Sequence, residues 1–125
     1  WKITPRQFIH LMLEAVYAAD RNVSEALIDR HFDLLLRHGN RKAFTDRASV
    51  SENRPPVDLV EKINVPTLIL WGAEDTRISP EYAYDFHGKI HKSLLRIYQN
   101  TGHWPQEENP GMTAKDVQRF LEGRF

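Results

Sequence analysis

The chain has 125 residues, enough for one domain with a modest core. Lys plus Arg and Asp plus Glu each number 17, so the formal net charge is zero, which removes the electrostatic case for a nucleic-acid or anionic-membrane partner. There is no cysteine, which excludes disulfides and thiolate metal sites and suits a reducing, cytoplasmic compartment, and no apolar run approaches the ~20 residues that cross a bilayer.

Thr4-Pro5 reads as a helix start, with Thr4 as N-cap and Pro5 in the first turn, where a missing N–H costs nothing. Phe8, Leu11, Met12, Ala15 and Val16 recur at helical spacing, and Ile9, Leu13 and Tyr17 widen the apolar face. Asp20-Arg21-Asn22 breaks the pattern. Ser24 is the expected cap of a second helix, with Glu25 at its positive end. Leu27, Ile28, His31, Phe32, Leu34 and Leu35 carry that helix to about His38, where Gly39-Asn40 stops it. A short polar helix is expected over 41–48, and 51–56 is a connector, since Pro55-Pro56 cannot lie inside a helix.

From there the pattern alternates strand, helix, strand, helix, the mark of a parallel sheet. Leu59, Val60 and Ile63 lead into an almost wholly apolar strand, 67–71, of the kind covered on both faces. Ser79-Pro80 starts a helix with Tyr82, Ala83, Phe86 and Ile90 facing inward. The second strand spans 93–98. Asn109-Pro110 starts the last helix, with Ala114, Val117, Phe120 and Leu121 as its expected buried face. Two parallel strands do not make a stable core alone, so the sheet is expected to be part of a larger one. Trp1 in place of Met also reads as the start of a fragment.

In an open parallel sheet, chemistry gathers beyond the carboxyl ends of the strands. Asp75 follows the first strand and His103 the second. A carboxylate bonded to one imidazole nitrogen fixes the tautomer and leaves the other nitrogen free as a base. Either residue also has an ordinary reading, Asp75 as a turn closer and His103 as a loop histidine. Glu74 is the rival acid.

The stretch from Val65 to Asp75, Val-Pro-Thr-Leu-Ile-Leu-Trp-Gly-Ala-Glu-Asp, followed by Ile78-Ser79-Pro80 and Gly102-His103, resembles the C-terminal part of α/β-hydrolases: esterases, epoxide hydrolases, carbon–carbon bond hydrolases and dehalogenases. The resemblance covers about Leu59 to Leu121. It implies an α/β fold comprising a helical cap segment (1–50), a linker (51–58) and the C-terminal strand-helix-strand-helix part of the core (59–125), with the N-terminal half of the sheet absent. It implies Asp75 as triad acid, His103 as triad base, a small-molecule substrate and no cofactor. The order acid then histidine matches that superfamily.

The chain departs from the pattern in one respect. No G-x-S-x-G turn occurs, and none of Ser24, Ser49, Ser51, Ser79 and Ser93 has the flanking glycines. The nucleophile is therefore expected from a missing N-terminal half or a companion chain, and this chain alone is expected to be inactive. The competing expectation is a binding or scaffold protein that keeps the fold without catalysis.

Trp104 reads either as a wall of the substrate pocket or as packing under the loop. Trp71 reads as sheet core. Phe8, Met12 and Val16 are either core or the lining of a cavity under a cap. His87 and His91 have the i, i+4 spacing of two metal ligands, but Gly88 and the lack of an intervening Glu argue against a metal. Glu107-Glu108 reads as a solvated approach to the last helix. Arg77 reads as surface, and Arg37, Arg41 and Lys42 are too few for a nucleic-acid footprint.

Overall fold

The computed structural model describes residues 5–18, 23–49 and 57–124. The expected cap Thr4, the break at Asp20–Asn22 and the connector at 51–56 lie outside the described residues.

Three helices come first: α1 (Arg6–Val16), α2 (Glu25–Leu36) and α3 (Asn40–Ser49). Pro5 is the N-cap of α1 and not its first helical residue, with φ −65° and an extended ψ of 136°. The row that α1 buries is Ile9, Leu13 and Val16, whereas Leu11 and Ala15 face solvent. Ser24 caps α2 as expected, its hydroxyl oxygen accepting the Leu27 N–H at 3.2 Å. The turn after α2 needs φ +86° at Gly39, a conformation glycine adopts without a side-chain clash. Ile9, Leu13, Val16, Tyr17 and Ile28 form the helical core. Fully burying an aliphatic side chain such as Leu13 contributes about 1.5–3 kcal/mol.

A 3₁₀ turn (Val57–Lys62) leads into β1 (Thr67–Gly72); α4 (Glu81–Lys89), β2 (Ser93–Tyr98), a one-turn α5 (Pro105–Glu108) and α6 (Pro110–Leu121) follow. The two strands are parallel and adjacent, Ile69 opposite Leu95 and Gly72 opposite Tyr98. Each strand has one neighbour only among the described residues. On one sheet face Ile69 packs with Ala83 of α4 and with Ile90, flanked by Trp71, Phe86, Leu95 and Ile97. On the other face the Tyr98 hydroxyl donates to Asp116 of α6 at 2.8 Å.

Two further expected faces are corrected. Tyr82 of α4 points outward, 53% exposed. On α6 the buried residues are Thr113 and Asp116, while Ala114 and Val117 are exposed and Leu121 is 77% exposed; only Phe120 of the expected set is half-buried. The bond from Tyr98 to Asp116 sets the helix rotation. Its apolar row is left uncovered by the described residues. Coverage of β1 on both faces is likewise partial: Ile69 is buried, and Leu68, Leu70 and Trp71 are half-buried.

Candidate active site

The strand ladder continues past both strand ends and draws the two following loops together. Ala73 N–H donates to the Tyr98 carbonyl at 2.8 Å and Glu74 N–H to that of Thr101 at 3.0 Å. The Glu74 carboxylate accepts the Asn100 N–H at 3.1 Å, so the rival acid is a loop brace and not the partner of His103. Asn100 takes a left-handed turn, φ 53°. Close approach demands glycine at two places. A Cβ on Gly72 would lie 2.0 Å from the Gly102 carbonyl oxygen, and one on Gly102 would lie 2.5 Å from that of Val16.

This construction sets Asp75 beside His103, whose Nδ1 lies 2.9 Å from Asp75 Oδ2. The other oxygen, Oδ1, accepts the backbone N–H groups of Arg77 at 2.8 Å and Ile78 at 2.9 Å. The turn-closing reading and the histidine-partner reading of Asp75 therefore both hold, one on each oxygen. Burial pushes the Asp75 carboxyl up, but the bonds from His103, Ile78 and Arg77 outweigh it and hold the group below the usual carboxylate range. A carboxylate on Nδ1 assigns the proton of the neutral ring to that nitrogen and leaves Nε2 as an acceptor. The Asp75 side chain is 3% exposed and the imidazole 29%, so the ring reaches the surface and its partner does not. Both line a cleft of ≈ 180 Å³ together with Leu70, Trp71, Gly72 and Pro105. Trp71 is thus both sheet packing against Phe86 and cleft wall, its indole N–H donating to the Ile78 carbonyl at 3.2 Å.

Trp104 lies elsewhere. Its ring stacks on His31, centroids 5.3 Å apart and planes 10° from parallel, and meets the Tyr17 ring edge-on. It lines a separate groove of ≈ 390 Å³ with Phe8, Met12, Leu34 and Phe44. Trp104 packs with these side chains and lines that groove, not the cleft of Asp75 and His103, and Val16 is buried in the helical core.

The expectation that Glu107-Glu108 is a solvated approach is overturned. Glu107 Oε2 accepts the Tyr17 hydroxyl at 2.8 Å, lies 3.1 Å from His31 Nε2 and pairs with Arg30 at 2.8 Å. Burial pushes its carboxyl up, but the bonds from Tyr17 and His31 and the nearby charges bring the net shift below the ordinary value. Burial, with the bond to Glu107, pushes the Tyr17 hydroxyl up. Glu108 accepts backbone N–H groups of Ala18, Gly102 and Trp104 at 2.9, 2.8 and 3.2 Å. Partners 76 to 90 residues away in sequence bond to Glu107, and no local pattern announces them. For Glu108 the available signal was the spacing Gly102-His103…Glu108-Asn109-Pro110, which says nothing of these partners.

The remaining candidates stay apart from this pair. His87 Nδ1 lies 2.9 Å from the Ser93 hydroxyl, and among the described residues no cluster of three or more His, Cys, Asp or Glu could hold a metal. Arg77, Arg37, Arg41 and Lys42 are exposed. No helix of the described residues is long and apolar enough to cross a membrane.

A family model described as "alpha/beta hydrolase fold" matches residues 13–110. Monoacylglycerol lipase ABHD6 of Rattus norvegicus is 28% identical over 120 residues, 94% of this chain and 35% of that protein. Epoxide hydrolase 1 of Caenorhabditis elegans is 31% identical over 64 residues, 51% of this chain and 15% of the relative. The crystal structure of a serine hydrolase involved in carbazole degradation (CarC enzyme) superposes with a TM-score of 0.83 at 26% identity, covering 96% of this chain and 48% of that one. The chain thus spans less than half the length of each.

Proposed function

This chain belongs to the alpha/beta hydrolase fold family, and from that premise we propose that it supplies the acid and the base of a nucleophile–histidine–acid triad. The observation that carries this reading is the 2.9 Å contact between His103 Nδ1 and Asp75 Oδ2, at the tips of two adjacent parallel strands. His103 Nε2 takes the proton of the attacking hydroxyl, or of the hydrolytic water where the nucleophile is a carboxylate. It then returns the proton to the leaving group where the reaction requires one. Asp75 stays ionised, holds the ring and stabilises the imidazolium.

The substrate class is a small ester, amide, epoxide or related molecule. The relatives' names, an epoxide hydrolase and a monoacylglycerol lipase, support that breadth. No G-x-S-x-G turn lies within these 125 residues. The nucleophile and the oxyanion donors then come from further polypeptide, the rest of the same protein or a companion chain. In this reading α1 to α3 form a cap segment, and residues 59–125 belong to the catalytic core. Absence of cysteine suits a cytoplasmic setting.

The test is hydrolysis of p-nitrophenyl esters. This chain alone is expected to show no turnover above background. Joined with a polypeptide bearing a Ser or Asp nucleophile turn, it is expected to turn over, with kcat reduced about 10⁴-fold by Asp75→Asn. Burst kinetics from the isolated chain that vanish in His103→Ala would overturn the claim that it lacks a nucleophile. Full activity of the joined Asp75→Asn protein would overturn the triad role and favour a scaffold.

A further inference from the structure

Three consecutive peptide units around His103 are each anchored, and two of the three anchors are one side chain. The Gly102 N–H donates to Glu108 Oε2 at 2.8 Å and the Trp104 N–H to Glu108 Oε1 at 3.2 Å. Between them the His103 N–H donates to the Val16 carbonyl at 2.7 Å. Glu108 Oε2 also accepts the N–H of Ala18, just past α1, at 2.9 Å. The peptide planes before and after the His103 Cα are therefore both fixed. With them is fixed the direction in which the Cα–Cβ bond aims the imidazole. Asp75 sets the remaining freedom of the ring from the other side.

We infer that Glu108 is the positioning residue for His103, a carboxylate that gathers the backbone N–H groups on both sides of the histidine and ties them to the end of α1. The inference rests on the proposed Asp75–His103 pair and names what keeps that pair in register. A carboxylate suits the place because all three inputs are donors and it has acceptors only. A glutamine offers one acceptor oxygen, and its NH₂ group would face a donor. Gly102 belongs to the same device, because a Cβ there would strike the Val16 carbonyl and hold the loop away from α1.

The experiment reads the His103 tautomer by long-range ¹H–¹⁵N correlation from the ring C–H protons, at a pH above the imidazole's titration. Wild type is expected to carry the ring proton on Nδ1, against the Nε2 preference of a free neutral imidazole. Glu108→Gln is expected to lower the ratio of Nδ1–H to Nε2–H by about fivefold, the scale of one lost hydrogen bond. Asp75→Asn is the reference that abolishes the preference without touching Glu108. A wild-type ratio in Glu108→Gln overturns the inference and leaves the pair standing. A wild-type protein without the Nδ1–H preference removes the pair itself and the inference with it. Should Glu108→Gln fail to fold, Glu108→Asp keeps the charge and shortens the reach by one methylene; a wild-type ratio there overturns the inference equally.

Discussion

Gly72 and Gly102 meet backbone against backbone: the position of a Cβ on Gly72 lies 2.0 Å from the Gly102 carbonyl oxygen and 2.2 Å from that of Thr101. The contact joins the end of β1 to the loop that bears His103. Gly72→Ala is expected to wedge the loops apart and to destabilise the protein by about 1–3 kcal/mol, the usual scale of overpacking. Urea unfolding measures the loss. The His103 ring resonances should move in the same variant.

Asp75→Asn separates the two tasks of that side chain. An asparagine can still accept the Arg77 and Ile78 N–H groups, but its NH₂ would donate to His103 Nδ1 and impose the wrong tautomer. Because the folded-state carboxyl of Asp75 titrates below its unfolded value, its contribution to stability is present above the unfolded pKa. That contribution is lost as pH falls through the folded one. The acid limb of a stability–pH curve is expected to flatten in Asp75→Asn, and thermal unfolding at a series of acidic pH values checks this.

Glu107 ties α5 to the end of α1 through Tyr17 and to α2 through His31 and Arg30, so its partners should behave as one unit. Tyr17→Phe is expected to lower stability by about 0.5–1.5 kcal/mol, the range of one hydrogen bond. Glu107→Gln should lower it more and should remove part of the acid-side pH dependence, since this carboxyl too is held below its ordinary value. The double variant should fall short of the sum, and a denaturant double-mutant cycle measures the difference.

Trp104 follows the proposed base yet faces the other groove. Trp104→Ala is expected to destabilise by about 2–3 kcal/mol, below the range for fully buried aromatics because the ring is half-buried. It should leave the His103 tautomer unchanged. A lost Nδ1–H preference in this variant would show that the stacked His31–Trp104 pair also steadies the base.

The strands and the acid–histidine pair were legible in the sequence because each is announced locally. An apolar run of strand length ends at Gly72, a cap-and-proline device follows at Ser79-Pro80, and acids follow the first strand tip and a histidine the second, with the resemblance choosing Asp75 over Glu74. The face of α6 was not legible. A helical stripe of Ala114, Val117 and Leu121 shows which residues are apolar, but Tyr98, on a strand, decides which side turns inward by bonding Asp116. Glu107 and Glu108 were missed for a related reason. Two acids before a helix satisfy the dipole argument on their own. Nothing local reveals that Tyr17 and Ala18, 90 residues earlier, reach them.

The two-stranded sheet has a practical consequence. With one neighbour per strand among the described residues, β1 and β2 each turn an outer edge of the sheet to whatever comes next. Such rims are templates for strand addition. Concentrated solutions of this polypeptide should therefore grow by rim-to-rim zipping. A matching β-segment supplied in trans should suppress that growth by occupying the rim first.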